Sequence, residues 1–267
     1  MTKSFKRLFI ILVLIFLYAP ILILILYSFT SSTTIGAIRG FSLQNYVTLF
    51  TTPELRNMII GTLLLAVGSA AIATLLGTLG AIGSFYSSRR LGIVYNSLNQ
   101  VPVINADVVT GFSLCILLVE VLFIDKDTFI PLVAGHVVLC APFVYLSVIP
   151  KLKQMDSYIY EAALDLGATP FRALRRVVLP QIASGIISGF ALAITLSLDD
   201  YFIATYTKPS TFDTISTYVV NATKGSQTSI KTALWALCAV IFVAVVLVVT
   251  VSNLRSAKKE ETEEHAV

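Results

Sequence analysis

An all-helical membrane protein crossing the bilayer six times is the architecture this sequence predicts, and three observations predict it. Of its 267 residues 56% are hydrophobic and only 13% charged, against roughly 45–50% and about 25% in soluble domains. The apolar residues gather into six blocks, each long enough for the roughly 20 helical residues that a bilayer core requires. The basic residues fall unequally between the two sets of loops that alternate with those blocks. A soluble domain, or a soluble body on a single anchor, is excluded by this distribution. The Lys and Arg residues behind the formal charge of +4 all sit in loops and tails, which gives no support to a nucleic-acid-binding reading.

The blocks cover residues 8–29, 58–86, 101–124, 129–149, 182–203 and 232–251. Lipid offers backbone groups no partner, so runs this long are helices. The first follows Lys3, Lys6 and Arg7 like the flank of a signal peptide, but its 22 residues exceed the usual 7–15-residue signal core, and it is expected to be retained. Asp125, Lys126 and Asp127 alone separate the third and fourth blocks, which predicts a tight helical hairpin. With the N-terminus inside, the inner side holds 13 Lys and Arg and the outer side 6, so both termini are expected in the cytoplasm. Residues 1–255 then form one transmembrane domain, and the charged tail 256–267 is expected to be disordered. Outside, the longer segments 30–57 and 204–231 are rich in Thr, Ser and Gly and offer a surface for a second protein. Inside, the long loop is 150–181. Cys115, Cys140 and Cys238 each lie in an apolar block, too far apart for a Cys-x-x-Cys site, and read as reduced packing residues. No metal site is expected.

The inner loop has the punctuation of two short helices. Asp156 or Ser157 can cap the first, Glu161-Ala162-Ala163-Leu164 are good helix formers, and Gly167 is a natural stop because it tolerates positive φ. Thr169 is an N-cap for the second, with Pro170 at its first position, where a missing N–H costs nothing. Phe171, Leu174, Val177 and Val178 give that helix an apolar face, Arg172, Arg175 and Arg176 cover the rest, and Pro180 is expected to end it. From composition alone this is either an interfacial helix meeting anionic headgroups or a docking element for another protein.

The spacing Glu161-Ala162-Ala163, three residues, Gly167, nine residues, Val177, one residue, Leu179-Pro180 resembles the EAA motif of ABC importer permeases, with Val177 where that family usually has Ile. The resemblance implies the type I importer permease fold, and makes the helix after Gly167 a coupling helix that docks in a groove of a separate ATP-binding subunit. Glu161 and Gly167 would then set the hinge geometry, with Ala162 and Ala163 beside Glu161 as part of the same coupling motif. Thr169, Pro170, Phe171, Arg172, Leu174 and Val177 would form the docking surface, with Leu179 and Pro180 completing the motif. The chain has no Gly-x-x-x-x-Gly-Lys-Ser/Thr phosphate loop. No cofactor is expected on it, no catalytic residue either, and ATP and Mg would belong to the partner ATPase.

Ionisable groups inside spans cost about 2.5–3.5 kcal/mol each on insertion scales and are functional candidates by default. Four carboxylates qualify, Asp107, Glu120, Asp199 and Asp200, and no Lys or Arg lies in any of the six blocks. Asp199 and Asp200 fall in the outer third of the fifth block, pointing about 100° apart on a continuous helix, so one can face a path while the other meets a partner helix. Glu120 lies toward the outer end of the third block. Asp107 reads as a helix cap, His136 as a packing histidine and Trp235 as interfacial packing. Tyr201, Phe202 and Tyr206 could present ring faces to a cation. The candidate pathway set is therefore Asp199, Asp200, Glu120, Tyr201 and Tyr206.

Beyond the loop, Tyr18-Ala19-Pro20-Ile21 through Leu26-Tyr27-Ser28-Phe29, Val101-Pro102 through Asp107-Val108-Val109-Thr110-Gly111, His136 through Ala141-Pro142-Phe143-Val144, and Leu196-Ser197-Leu198-Asp199-Asp200 are similar to the C-type permease subunit of spermidine/putrescine ABC importers. That resemblance implies a bacterial inner-membrane subunit working by alternating access. Its partners would be a homologous second permease, an ATP-binding subunit dimer, an extracytoplasmic substrate-binding protein, membrane lipid and a polyamine substrate, with no nucleic acid. The sign of the carboxylates agrees, since unpaired acids favour a cation and repel sulfate or molybdate. Permeases for aminoethylphosphonate, iron or thiamine remain alternatives, as does a stand-alone secondary transporter.

Overall fold

The computed structural model describes residues 3–31, 40–156, 158–224, 232–243 and 246. They fall into two compact units, one within residues 1–56 and 219–267, the other within 57–218.

In the first unit, α1 (Lys3–Ser28) runs straight through Pro20 and presents apolar side chains such as Phe16, 80% exposed, as a helix solvated by lipid does. The aromatic rings of Tyr18 and Tyr27 meet Phe242 and Trp235 of α12 (Thr232–Val243) edge-on, at 6.5 and 5.5 Å. The last carbonyls of α1 need partners from outside the helix. Asn45 of α2 (Gln44–Thr51) supplies one, donating its amide to the carbonyl of Ser28 at 3.0 Å and to that of Thr30, just past the helix, at 3.1 Å. The expected sixth span is helical as far as Val243 and at Val246. The rest of it, and the tail 256–267, lie outside the described residues.

The second unit holds α3 (Pro53–Tyr86) from residue 57 onward, α4 (Arg89–Ile104), α5 (Asp107–Ile116) and α6 (Phe129–Gln154). They are followed by α7 (Tyr158–Asp165), α8 (Pro170–Ala173), α9 (Leu179–Asp199), α10 (Phe202–Thr207) and the start of α11 (Ile215–Lys224). Helix α6 is the centre. Its Cys140, Val144, Tyr145, Val148 and Leu152 are buried with Ala70, Ala73 and Ala81 of α3 and Ile182 and Ala193 of α9. In lipid such helices associate by close packing rather than by exclusion of water. A Cβ on Gly77 would lie 2.7 Å from the Ala141 carbonyl oxygen, and one on Gly185 2.9 Å from that of Ser147.

Four described helices are long and apolar enough to cross a membrane, and a fifth crossing results if α4 and α5 are one span broken by a 105° bend. That bend corrects the expected third span. Residues 101–104 belong to α4, the chain is extended at Ala106 and at Asn105, and α5 with its π-helical continuation Leu117–Val121 is only about 22 Å long at 1.5 Å per residue. Asn105 ends α4 and bonds Thr110 Oγ1 at 3.1 Å, while Asp107 favours a helix start. Asp107 stands in the first turn of α5, but no side-chain cap bond closes that turn, so its cap reading reduces to a favourable charge at the helix N-terminus. The predicted tight hairpin is present. It is closed by Phe123 in the left-handed region at φ 54, with Ile124 N–H returning to the Leu118 carbonyl and Asp125 Oδ1 accepting from Asp127 N–H.

The fifth span is longer in front and shorter behind than expected. Pro180 does not end the second inner-loop helix as expected: α8 continues through a π-helical turn, Leu174–Val178, into α9, and Pro170–Asp199 is one 30-residue helix. The wider turn carries the chain to a proline that has no N–H to offer the standard ladder. At the far end α9 stops at Asp199, and α10 is a separate helix.

Candidate functional site

Two regions of the second unit carry the predicted residues. In the inner loop, Asp156 Oδ1 accepts from Tyr158 N–H at 3.0 Å and starts α7. Glu161 lies in its first turn, exposed, where a carboxylate complements the helix dipole. Gly167 has φ 83, and Ala168 N–H reaches back to the Ala163 carbonyl at 3.0 Å, the arrangement that ends a helix through a left-handed residue. Thr169 Oγ1 then accepts from Arg172 N–H at 3.4 Å with Pro170 first in α8. The Tyr160 ring packs against Tyr86 at 4.9 Å, tilted by 45°, and ties α7 to the end of α3.

The apolar face expected for the second helix divides. Leu174 packs into the core and Val178 is fully buried with Ala173. Val177 and Leu179 are half-buried, Ala162, Pro170, Arg172 and Pro180 are exposed, and Ala163 is half-buried. Phe171 leaves the face and is 72% exposed, beside a chain that also exposes Leu166 and Tyr158. The π turn changes the phase between residues 171 and 178, which periodicity at 3.6 could not register.

The second region is the gap between α9 and α10. Asp199 and Asp200 are not on one continuous helix. Asp199 is the last residue of α9 and exposed, whereas Asp200 is extended and 8% exposed. The Asp200 carboxylate accepts from the N–H groups of Ile203 and Ala204 at 3.2 and 2.7 Å. Helix α10 lies against α5 and α6, with Ile203, Ala204 and Thr207 fully buried. A Cβ on Gly111 would meet Ile203 Cα at 2.9 Å, and one on Gly135 would meet Ile203 Cγ2 at 2.5 Å. Asp107 and Asp199 are within electrostatic reach of Asp200. Tyr201 and Tyr206 are half-buried, with rings against Phe202 at 5.3 Å and Phe112 at 5.7 Å. Glu120 is exposed on the π-helical end of α5. The structure thus brings Asp107, Asp199 and Asp200 together.

Sequence reasoning missed one pairing here. His136 Nδ1 is 3.7 Å from Asp200 Oδ2, both side chains buried. The two are 64 positions apart and nothing local joins them, although a buried His and a buried Asp in one bundle were each visible. Just beyond, the outer loop is tied down: Asp127 Oδ1 accepts from Ser210 N–H at 2.9 Å, and Lys208 bridges Asp213 at 3.0 Å.

Residues 73–260 match the family described as the binding-protein-dependent transport system inner membrane component, and the chain belongs to that family. The putrescine transport system permease protein PotI of Escherichia coli K12 is 35% identical over 201 residues, 72% of this chain and 70% of that protein. The spermidine/putrescine transport system permease protein PotC of the same strain is 30% identical over 244 residues, covering 91% and 90%. Its Haemophilus influenzae counterpart is 29% identical over 248 residues, covering 92% and 96%. Among solved structures, a chain of a bacterial ABC transporter involved in import of the acidic polysaccharide alginate superposes with a TM-score of 0.71 at 20% identity over 94% of both chains. The fold is that of a type I ABC importer permease, and this is the membrane-embedded permease component of such an importer.

Proposed function

We propose that this chain carries polyamines, spermidine or putrescine, across the inner membrane as one of two homologous permease subunits, driven by a separate ATP-binding dimer and supplied by an extracytoplasmic binding protein. The observation that carries the reading is the pair of exposed residues Asp107 and Asp199, each within electrostatic reach of the buried Asp200, in a protein whose six apolar blocks hold no Lys or Arg. A polyammonium ion losing water there is compensated by carboxylates, whereas an anion is repelled. The identity to the putrescine and spermidine/putrescine permeases supports the same substrate class. Asp199, Glu120, Tyr201 and Tyr206 would border the path, with Asp200 directly behind it.

Both termini lie in the cytoplasm in this reading, because the inner side then holds 13 of the 19 basic residues. The exposed Phe171, on a helix continuous with α9, would seat in the ATPase, and closure of the ATPase dimer would reach the α9–α10 gap along that rod. Access alternates as the two permease subunits rock about the path. ATP-driven uptake of labelled spermidine by the assembled importer tests the reading: Asp199→Asn should raise the KM at least fivefold with assembly unchanged, and an unaltered KM would remove Asp199 from the path.

A further inference from the structure

Asp199 and Asp200 are neighbours in sequence with opposite surroundings. The Asp200 side chain is 3% exposed, and both of its oxygens are engaged by the backbone of α10. Its backbone is extended at φ −66 and ψ 125, and it stands immediately before Tyr201, which opens α10 in a helical conformation, so its carboxylate satisfies the first N–H groups as an N-cap side chain does, from one position further out. Its carbonyl oxygen accepts from Ser216 Oγ in the first turn of α11. His136 backs the carboxylate at 3.7 Å, and neither of its ring nitrogens has a hydrogen-bond partner among the described residues. Asp199 keeps its exposure.

Helix α10 has six residues, far below the length at which a helix persists without outside support. Its place depends on what holds its start and its side. Gly111 and Gly135 hold the side through Ile203, and Asp200 holds the start. A passing cation could reach the Asp200 carboxylate only by displacing the two N–H donors and entering a space closed by His136.

We infer that Asp200, backed by His136, is a positioning residue that caps and anchors α10, and so fixes where Asp199, Tyr201 and Tyr206 face, without itself touching substrate. What α10 presents rests on the pathway reading above; how α10 is held does not.

The test uses the complete importer and two readouts. The first is uptake of labelled spermidine. Asn and Ser cap helices about as well as Asp and carry no charge, so Asp200→Asn and Asp200→Ser should keep KM within about twofold of wild type, while Asp200→Ala lowers maximal uptake at least tenfold. The second is independent of substrate: maleimide labelling of Thr207→Cys, at a position that is fully buried, with the three native cysteines replaced by alanine. Labelling should rise at least fivefold in Asp200→Ala and about threefold in His136→Ala, and stay slow in Asp200→Asn. A KM raised tenfold in both the Asn and Ser variants, with slow labelling, would make Asp200 a substrate ligand and overturn the inference, even if the Ala variant fails to assemble. If the wild type takes up no polyamine, the pathway reading fails alone, and equal labelling in all variants would still overturn the anchoring role.

Discussion

Ile203 of α10 rests on the bare backbone of Gly111 in α5: a Cβ at Gly111 would stand 2.9 Å from the Ile203 Cα. Neither atom has a rotamer through which to escape. Gly111→Ala should therefore cost about 1–3 kcal/mol, the usual range for overpacking a filled site. Thermal unfolding of the purified permease complex reads this out. Gly83→Ala is the internal control, because nothing lies within 4 Å of the added methyl group, and alanine is a better helix former by up to about 1 kcal/mol. Equal melting temperatures for the two variants would mean that α10 does not seat as described.

Gly167 holds φ 83 with open space around it, so a substitution there acts through the backbone alone. A non-glycine residue in the left-handed region costs roughly 1–2 kcal/mol, which shifts the turn that joins α7 to α8. Gly167→Val is expected to insert normally and to lose most of its ATP-driven transport. Glu161→Lys, which places a positive charge at the positive end of α7, should act in the same direction. Copurification of the ATP-binding subunit measures both, and full retention with normal transport would detach the loop from coupling.

Phe171 is 72% exposed, while Leu174 and Val178 of the same helix face the core. An aromatic anchor at the centre of an interface is often worth 2 kcal/mol or more. Phe171→Ala should weaken ATPase binding by roughly thirtyfold or more at that magnitude, with the fold of the permease unchanged. Binding titrations of the ATPase to permease in nanodiscs decide it, and an unchanged affinity would place the docking surface elsewhere.

Asp127, in the hairpin between α5 and α6, accepts from Ser210 N–H of the loop after α10, and that hydrogen bond from the backbone holds its carboxyl below the usual carboxylate range. A carboxyl whose folded value is depressed stabilises its contact above its unfolded value, near 3.9, and loses that contribution as pH falls through the folded value. The 208–213 loop should thus exchange its amides at a pH-corrected rate that is constant from pH 7 to 5 and rises below about 4. Asp127→Asn should flatten that rise. A loop whose protection is lost already at pH 6 would contradict the sign.

How much of this was legible in the sequence depends on whether the signal is local. Thr169-Pro170, Gly167 and Asp156 each act within four residues, and each sits where its chemistry predicts. The apolar blocks gave the membrane helices, since lipid requires length and hydrophobicity and little else. Breaks inside apolar stretches were hidden. The 105° bend at Asn105–Ala106 and the gap after Asp199 occur within hydrophobic sequence, where hydropathy stays high while the backbone stops being helical. Phe123 takes a left-handed conformation that glycine usually marks. The π turn at Leu174–Val178 is a one-residue change of phase, and it moved Phe171 off the face that 3.6-residue periodicity assigned. The four acids in the apolar blocks were visible, but their division into the exposed Asp199 and the buried Asp200 comes from α10 seating against α5 and α6.

In the proposed function a polyammonium ion, driven by ATP, passes this permease. The most direct measurement is uptake of labelled spermidine by cells expressing the chain with its second permease, ATP-binding subunit and binding protein, challenged with putrescine, sulfate and a phosphonate. Uptake that requires ATP, is competed by putrescine, and ignores both anions is the predicted result. An assembled importer that transports no polyamine, or whose uptake is blocked by sulfate or phosphonate and not by putrescine, would contradict it.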